Sequence, residues 1–151
     1  MSRMVKDVTK FHDYLGAPVR DQPGWPEQAR VDLRVDLIDE EINKELLPAI
    51  RARNMLKTAD GIADSIYVLI GAALEFGIPL DTVWKLVQQA NMAKGQGRHS
   101  PSCNINKSPR DQERRCDCGV VSYREDGKVA KPPGWQAPDA DIAWLVDHSW
   151  N

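Results

Sequence analysis

Four acidic residues occur as two pairs with helical spacing, and no other pattern in the chain is better suited to chemistry. Asp60 and Asp64 lie four residues apart, and so do Glu41 and Glu45. Residues four apart share one face of an α-helix, so each pair presents two neighbouring carboxylates. If the two helices pack as antiparallel neighbours, the pairs face each other across one groove. Oxygen ligands of this kind suit a hard cation, and the pattern predicts a Mg²⁺ site.

An ordinary solvated surface is the alternative interpretation of the glutamates. Glu40, Glu41 and Glu45 can form exposed ion pairs with the nearby basic residues Lys44, Arg51 and Arg53. That alternative does not explain Asp60 and Asp64, which border the apolar stripe of their own helix. Carboxylates against a core are costly unless a cation or a basic group neutralises them.

A second set of potential ligands lies in a segment with almost no apolar residues to bury. It consists of His99, Cys103, Cys116 and Cys118, within residues 95–119. Such a segment cannot order itself by burial alone. One histidine and three cysteines make a complete tetrahedral Zn²⁺ set, which predicts a structural zinc site because no position stays open for water. The alternatives are a loop with free thiols or a redox pair formed by Cys116 and Cys118.

The helix that carries the two aspartates is the predicted centre of the fold. It covers Thr58–Pro79, and its apolar residues repeat at helical spacing on one face that is predicted to be core: Ile62, Ile66, Leu69, Ala73 and Phe76. The glutamates lie on a helix predicted over Glu27–Leu47, which Pro48 ends or bends. Its apolar face is predicted to contain Val31, Val35, Ile38, Ile42 and Ala49. The short connection Arg51–Lys57 favours antiparallel packing of the two helices.

Shorter helices are predicted on either side of this pair, over Val5–Leu15, Val83–Ala93 and Asp139–His148. His12 on the first of them is interpreted as an ordinary surface residue. Three regions result: a helical bundle at 1–94, the cysteine-containing insertion at 95–119, and a C-terminal extension at 120–151 that packs on the bundle or on a partner subunit. The expected class is all-α, with about four core helices and an irregular C-terminal segment.

Size and charge narrow the classes of function. A chain of 151 residues is long enough for one domain with a core. Its 22 acidic and 20 basic residues give a net charge of −2, which argues against general binding of nucleic acid or membrane surfaces. No apolar run approaches the ~20 residues of a membrane helix, and the charged N-terminal residues do not resemble a secretory signal. We therefore expect a cytoplasmic protein.

Several short motifs follow one another in a characteristic order and spacing. They are Leu37-Ile38-Asp39-Glu40-Glu41, Ala59-Asp60-Gly61-Ile62-Ala63-Asp64-Ser65-Ile66-Tyr67-Val68, Gly71-x-Ala73, Phe76-Gly77-Ile78-Pro79, Asn91-Met92-Ala93-Lys94 and Asp126-Gly127-Lys128-Val129-Ala130-Lys131-Pro132. Together they resemble the all-α nucleoside triphosphate pyrophosphohydrolases, the superfamily that includes MazG, dimeric dUTPases and phosphoribosyl-ATP pyrophosphohydrolase. The resemblance covers about Phe11–Lys94 and Asp126–Pro138.

The resemblance implies a Mg²⁺-dependent enzyme that hydrolyses a (deoxy)nucleoside triphosphate to the monophosphate and pyrophosphate. It also implies a dimeric or tetrameric all-α bundle, with Mg²⁺ held by Glu41, Glu45, Asp60 and Asp64 and with Glu40 accepting the proton of water. The contacts to substrate phosphate or base that it implies involve Asn91, Lys94, Lys128 and Lys131. Trp135 either pins its segment to the bundle or stacks on a nucleobase.

One position departs from the pattern of the superfamily. By position, Glu40 and Glu41 match the paired glutamates of the superfamily. A further glutamate usually follows the second of them by three residues, and Lys44 stands there instead. Either Glu45 takes that role through a local distortion near Pro48, or the site has one ligand fewer. The alternatives to the enzyme are an inactive relative kept as a subunit, and a non-catalytic helical module whose zinc-containing loop binds protein or nucleic acid.

Overall fold

The computed structural model describes residues 2–94, 123–132 and 134–148. Within these ranges the chain forms six α-helices and one π-helical segment: α1 (Arg3–Leu15), α2 (Gln28–Ile38), the π segment (Asp39–Leu46), α3 (Leu47–Arg51), α4 (Met55–Glu75), α5 (Leu80–Ala93) and α6 (Asp139–His148). The β pairing found in the same ranges is one isolated antiparallel bridge between Tyr123 and Val129. The predicted all-α class is confirmed.

The chain divides into two compact units, one formed by Met1–Val83 with Trp144–Asn151 and the other by Trp84–Ala143. In the first unit, α4 contacts α1, α2 and α3 and packs most extensively against the π segment. The predicted central helix therefore holds that position in the fold. Val5, Val8 and Ile70 form the centre of a small apolar core between α1 and α4, with Leu74 and Leu80 against it.

Capping residues explain where α1 and α4 begin and end. The Ser2 side chain accepts a hydrogen bond from the N–H of Val5, and α1 ends at Gly16, whose φ of 66° is left-handed. The Asn54 side chain accepts from the N–H of Lys57, so α4 begins at Met55, before the predicted start at Thr58. Only residues 52–54 then connect α3 to α4.

The second long helix does not end at Pro48. Of our two alternatives, that Pro48 ends the helix or bends it, the first is therefore wrong. The helix starts at Gln28, widens into the π segment at Asp39 and continues through Pro48 to Arg51. Proline has no N–H to donate, and its ring clashes with a carbonyl one α-turn earlier. The N–H of Leu47 donates to the carbonyl of Ile42, five residues back, so the wider turn accommodates the proline without breaking the helix.

The apolar stripe predicted to be the core of α4 is largely exposed within a single chain. Ile62, Ile66 and Leu69 keep 46, 40 and 45% of their surface accessible. The buried positions of α4 are instead mostly small or polar, namely Gly61, Ser65, Ile70, Gly71, Ala72, Ala73 and Glu75. On the second long helix only Val35 of the five predicted residues is exposed, while Ala49 is buried and the other three are half-buried. Within this chain, close helix packing occurs on the small-residue face of α4 and leaves the face with the large apolar residues uncovered.

A network of ionic side chains from α2 and α4 occupies part of the interior, where apolar residues were predicted. Glu75 is completely buried, and it accepts hydrogen bonds from Arg30 and, at 2.6 Å, from Arg34. Gly71 leaves room for this guanidinium, since a Cβ there would lie 2.6 Å from Nη1 of Arg34. His12 is buried and not a surface residue, so that prediction is wrong.

The surroundings of His12 fix which of its ring nitrogens carries the proton. Nδ1 lies 3.1 Å from the carbonyl oxygen of Pro18, and Nε2 lies 3.1 Å from Nη2 of Arg34. A carbonyl only accepts and a guanidinium only donates, so a neutral imidazole with its proton on Nδ1 satisfies both contacts. His12 thereby ties α1 and the loop after it to the buried network.

Within residues 2–94, 123–132 and 134–148, no single helix is both long and apolar enough to cross a membrane. Helices α4 and α5 would together be long and apolar enough, but they meet at a bend of 117°.

Candidate functional site

The π segment and α4 bring the predicted acidic residues to one part of the first unit. Glu41 and Glu45 lie on the π segment, and Asp60 and Asp64 lie on the first half of α4. Gly61 allows these two elements to approach closely, because a Cβ there would lie 3.1 Å from the Cα of Leu46. The close approach occurs next to Asp60, so the two pairs of carboxylates are positioned beside each other.

The pKa of Glu41 shows that the acids interact. Burial raises this pKa most, and the negative charges of other acidic residues raise it further, in the order Glu45, Asp64, Glu40 and Asp60. Like charges shift a carboxyl pKa in this way only when they lie near it. The structure therefore brings all five predicted acids into one electrostatic neighbourhood, with half-buried Glu41 at its centre.

Oxygen-only donors from two helices match the ligand preference of Mg²⁺. Among the residues that the structure describes, no three Asp, Glu, His or Cys side chains lie close enough together to hold a metal ion as they stand. Holding an ion there requires these mostly exposed side chains to turn toward one another, and the repulsion that raises the pKa of Glu41 is what a divalent cation would relieve. The donor chemistry fits the ion that the superfamily resemblance implies.

Lys44, which departs from the superfamily pattern, is engaged elsewhere. Its Nζ lies 2.9 Å from a carboxylate oxygen of Asp39, and the Asn43 amide donates to the same side chain at 2.8 Å. The Asn43 hydrogen bond, followed by Lys44, lowers the pKa of Asp39. Glu45 contributes the largest charge effect on Glu41, so the two glutamates, four residues apart, lie close to each other.

A cavity of about 520 Å³ opens beside two of the predicted ligands. Its lining combines those acids, Glu45 and Asp60, with Lys44 and with two residues that sequence reasoning did not single out, Asn54 and Lys57. The full lining is Lys44, Glu45, Pro48, Ala49, Ala52, Asn54, Lys57 and Asp60. The signal that could have found Asn54 and Lys57 is the helix start, because a cap residue and the residue three positions later lie on the first turn. Basic groups next to acids allow the cavity to hold phosphate groups close to a metal ion.

The predicted substrate contacts occupy the second unit, and the structure brings some of them together. Lys94 donates to the Asn91 side chain at 2.8 Å, and both Lys94 and Lys131 lie over the indole ring of Trp135. Lys128 is paired with Asp126 at 3.6 Å, within the turn that follows Tyr123. Three of the four predicted contacts are thus linked through Trp135.

The predicted zinc ligands His99, Cys103, Cys116 and Cys118 lie outside the described residues. The zinc site stays a prediction.

We compared the chain with models of known protein families. The family model described as phosphoribosyl-ATP pyrophosphohydrolase matches residues 8–91, more than half of the chain. This chain belongs to the phosphoribosyl-ATP pyrophosphohydrolase family. The match spans the π segment, α4 and Asn91, and it ends before Lys94, Lys128 and Lys131. A comparison with individually curated proteins finds no match.

Membership of the phosphoribosyl-ATP pyrophosphohydrolase family confirms the predicted resemblance and makes the chain a hydrolase of phosphoric anhydrides, acting on a nucleotide-like substrate. It favours the enzyme over the non-catalytic helical module. Family membership leaves the roles of the individual acids as predictions.

Substituting Glu41 by glutamine should stabilise the metal-free protein. The folded-state pKa of Glu41 is raised, so its contribution to stability is present at low pH and is lost as the pH rises through that pKa. Glutamine removes the repulsion between residue 41 and the neighbouring carboxylates. At neutral pH, in the presence of a chelator, we therefore expect Tm to rise by about 1–3 °C. Thermal unfolding of both proteins from pH 4 to 8 measures the difference, which should shrink toward the acid end.

The matched control is Asp32→Asn, which neutralises an exposed carboxylate on α2 that accepts a hydrogen bond from Gln28. It should not raise Tm. If Glu41→Gln lowers Tm at every pH, Glu41 is not under repulsion from its acidic neighbours.

Proposed function

We propose that the protein is a Mg²⁺-dependent nucleoside triphosphate pyrophosphohydrolase, which converts a (d)NTP to the (d)NMP and pyrophosphate. The observation that carries the proposal is the cavity that Glu45 of the π segment and Asp60 of α4 line together with Lys57. The raised pKa of Glu41, to which acids of both elements contribute, supports it. A cluster of mutually repelling carboxylates beside a cavity is unfavourable in the free protein, and it becomes useful when a cation and a polyphosphate arrive together.

The acids have distinct roles in this proposal. Glu41, Glu45, Asp60 and Asp64 would hold the ion, because they supply carboxylate oxygens from two elements that pack against each other, the π segment and α4. Bound Mg²⁺ supplies neutralisation of the charge that develops on the phosphate oxygens. Glu40 is the acid that we assign to accept a proton from the attacking water, since it is exposed and is not one of the four proposed ligands.

The reaction adds water across the anhydride between the α- and β-phosphates. The hydroxyl oxygen joins phosphorus, the bridging bond breaks, and the proton passes to Glu40. Lys57, which lines the cavity beside Asp60, is placed to pair with a phosphate group of the substrate or of the pyrophosphate product. Positioning and charge neutralisation then account for the catalysis, with no covalent intermediate.

A substrate screen tests the proposal. The purified full chain is incubated with each ribo- and deoxyribonucleoside triphosphate in Mg²⁺ or in a chelator, and monophosphate and pyrophosphate are followed together. Phosphoribosyl-ATP, the compound in the family's name, is the competing substrate. Equimolar monophosphate and pyrophosphate, formed from a triphosphate only with the metal, support the proposal. Preference for phosphoribosyl-ATP over every triphosphate would overturn the substrate assignment.

We also propose that a second copy of the chain covers the apolar face formed by α1 and α4. This face includes Met4, Phe11, Ile62, Ile66 and Tyr67, each at least 39% exposed, and it contains a cavity of about 360 Å³. Phe11 and Tyr67 pack edge to face at 5.6 Å and join the two helices. An apolar surface with one acid, Asp7, among the residues that line its cavity suits association with an identical surface.

Substituting Ile66 by aspartate should dissociate the resulting oligomer. The side chain is 40% exposed in the single chain, so an isolated subunit tolerates the charge, whereas an apolar interface does not. Light scattering during size-exclusion chromatography measures the mass. Val35→Asp, at an exposed position on α2, is the control that should leave it unchanged. A wild-type mass of one chain contradicts the proposal.

A further inference from the structure

The indole ring of Trp135 forms a fixed aromatic surface in the second unit. Its Nε1–H donates to the carbonyl of Ala90 at 2.7 Å, so the ring is tied to the last part of α5. The backbone N–H of Trp135 also donates to the carbonyl of Pro132 at 3.1 Å, and Gly134 between them has a φ of 79°. A half-buried ring held at both its side chain and its backbone keeps its orientation without a ligand.

Two ammonium groups lie against this ring. Nζ of Lys131 is 4.2 Å from the ring centroid, and Nζ of Lys94 is 5.4 Å from it. Both distances are within the range of a cation–π interaction. Lys94 is also oriented by its hydrogen bond to Asn91. Positive charge is thus concentrated at an aromatic surface.

The ring and Lys94 line a cavity of about 670 Å³. Gln89, Gln136 and Asp141 line the same cavity and supply groups that donate or accept hydrogen bonds. The volume is in the range of small-molecule sites. An aromatic surface, a cation and amide groups are the combination that recognises an aromatic base attached to a phosphate.

We propose that this cavity binds a nucleoside phosphate, with the base stacked on Trp135 and a phosphate group paired with Lys94. The inference rests on the proposed function only for the class of ligand. It assigns base recognition to the second unit by a stacking interaction, which tolerates different bases because every base has a flat face. The amides of Gln89 and Gln136 then provide the groups that discriminate between base edges.

Fluorescence titration of the full chain carrying Asp64→Asn tests the inference without turnover. ATP is the probe, and inorganic tripolyphosphate is its counterpart without a base. ATP should quench tryptophan emission, and Trp135→Phe should abolish the quench while calorimetry still detects ATP. Trp135→Leu should weaken ATP binding roughly 5- to 150-fold, the expected contribution of one stacked base. Lys94→Gln should weaken both ATP and tripolyphosphate.

The matched control is Trp84→Phe, an exposed tryptophan on α5 that is 66% accessible, and it should keep the quench. Two results with the Asp64→Asn parent overturn the inference: ATP does not quench its emission, or tripolyphosphate quenches it equally. Two results with the further variants also overturn it: Trp135→Phe keeps the quench, or Trp135→Leu binds ATP as tightly as the parent does. Hydrolysis by the wild type is assayed in parallel. A Trp135-dependent quench without hydrolysis leaves this inference standing and overturns the proposed function, and hydrolysis without that quench does the reverse.

Discussion

Replacing Asp64 by asparagine is expected to reduce the rate of pyrophosphate release at least about a thousandfold. Asparagine keeps the size of the side chain and removes the negative charge that acts on Glu41. In the proposed site, the loss of one anionic ligand would weaken the binding of the divalent ion and reduce the neutralisation of the phosphate charge. Initial rates at saturating Mg²⁺ and nucleotide measure the loss, and circular dichroism checks that the helices are intact.

Two comparisons make this result specific to the cluster. Asp32→Asn, on the exposed side of α2, should keep the wild-type rate. Glu45→Gln should resemble Asp64→Asn, whereas Lys44→Gln should cause a much smaller loss, because Lys44 is paired with Asp39. An unchanged rate in Asp64→Asn removes this residue from the mechanism. A larger loss in Lys44→Gln than in Glu45→Gln contradicts the role given to Glu45.

The acids were predictable because their arrangement depends on local spacing. Asp60 and Asp64 lie on one helix, and no partner is needed to know that residues four apart share a face. The exact geometry of the second pair was not predictable from periodicity. The π segment depends on Pro48, which has no N–H, and on Gly61 of another helix, which allows Leu46 to approach. The sequence suggested a distortion, and only the packed structure shows its form.

The apolar stripe of α4 was identified correctly as a stripe, but most of it does not lie in the core of this chain. Periodicity shows that one face of α4 is apolar, and it does not show whether the same chain covers that face. Ile62 and Ile66 are exposed in one chain, while Gly61 and Ala72 make the close contacts within it. In an oligomer the apolar face and the small-residue face would both be buried, and sequence alone cannot divide them.

The buried network of Glu75 joins residues that are far apart in sequence. Arg30 and Arg34 precede Glu75 by 45 and 41 residues, so no local pattern connects them. One signal was present, because Glu75 is an acid within an apolar helix end and such an acid requires a basic partner. Which arginines supply it depends on how α2 crosses α4, and that is a property of the packed fold.

Replacing Glu75 by glutamine is expected to lower the free energy of unfolding by about 3–5 kcal/mol, because it leaves Arg34 buried with an uncompensated charge. For a domain of this size the corresponding fall in Tm is roughly 6–20 °C. Urea unfolding followed by circular dichroism measures the free energy directly. The control is Asp32→Asn, which neutralises an exposed carboxylate on α2 and should change Tm little. A loss of similar size in both variants contradicts the special role of Glu75.

The stability difference between wild type and Glu75→Gln should depend on pH in a definite direction. Burial is the largest influence on the pKa of Glu75 and raises it, but the hydrogen bonds and charges of Arg30 and Arg34 together bring it below its ordinary value of 4.5. A carboxyl group with a lowered folded-state pKa stabilises the fold above its unfolded-state pKa, and this contribution is lost as the pH falls through the folded-state value. The stability difference between wild type and Glu75→Gln should therefore be largest at neutral pH and shrink below pH 4.5.

A second substitution separates the effect of the lost ion pair from the effect of disturbed packing. If Glu75→Gln is destabilising because Arg34 is left unpaired, then adding Arg34→Met should recover part of the stability, since an apolar side chain of similar length needs no partner. If the cost comes from disturbed packing, the two losses should add. The double-mutant cycle therefore shows whether the charge of Arg34 is what makes Glu75 necessary for this fold. Additive losses would contradict that explanation.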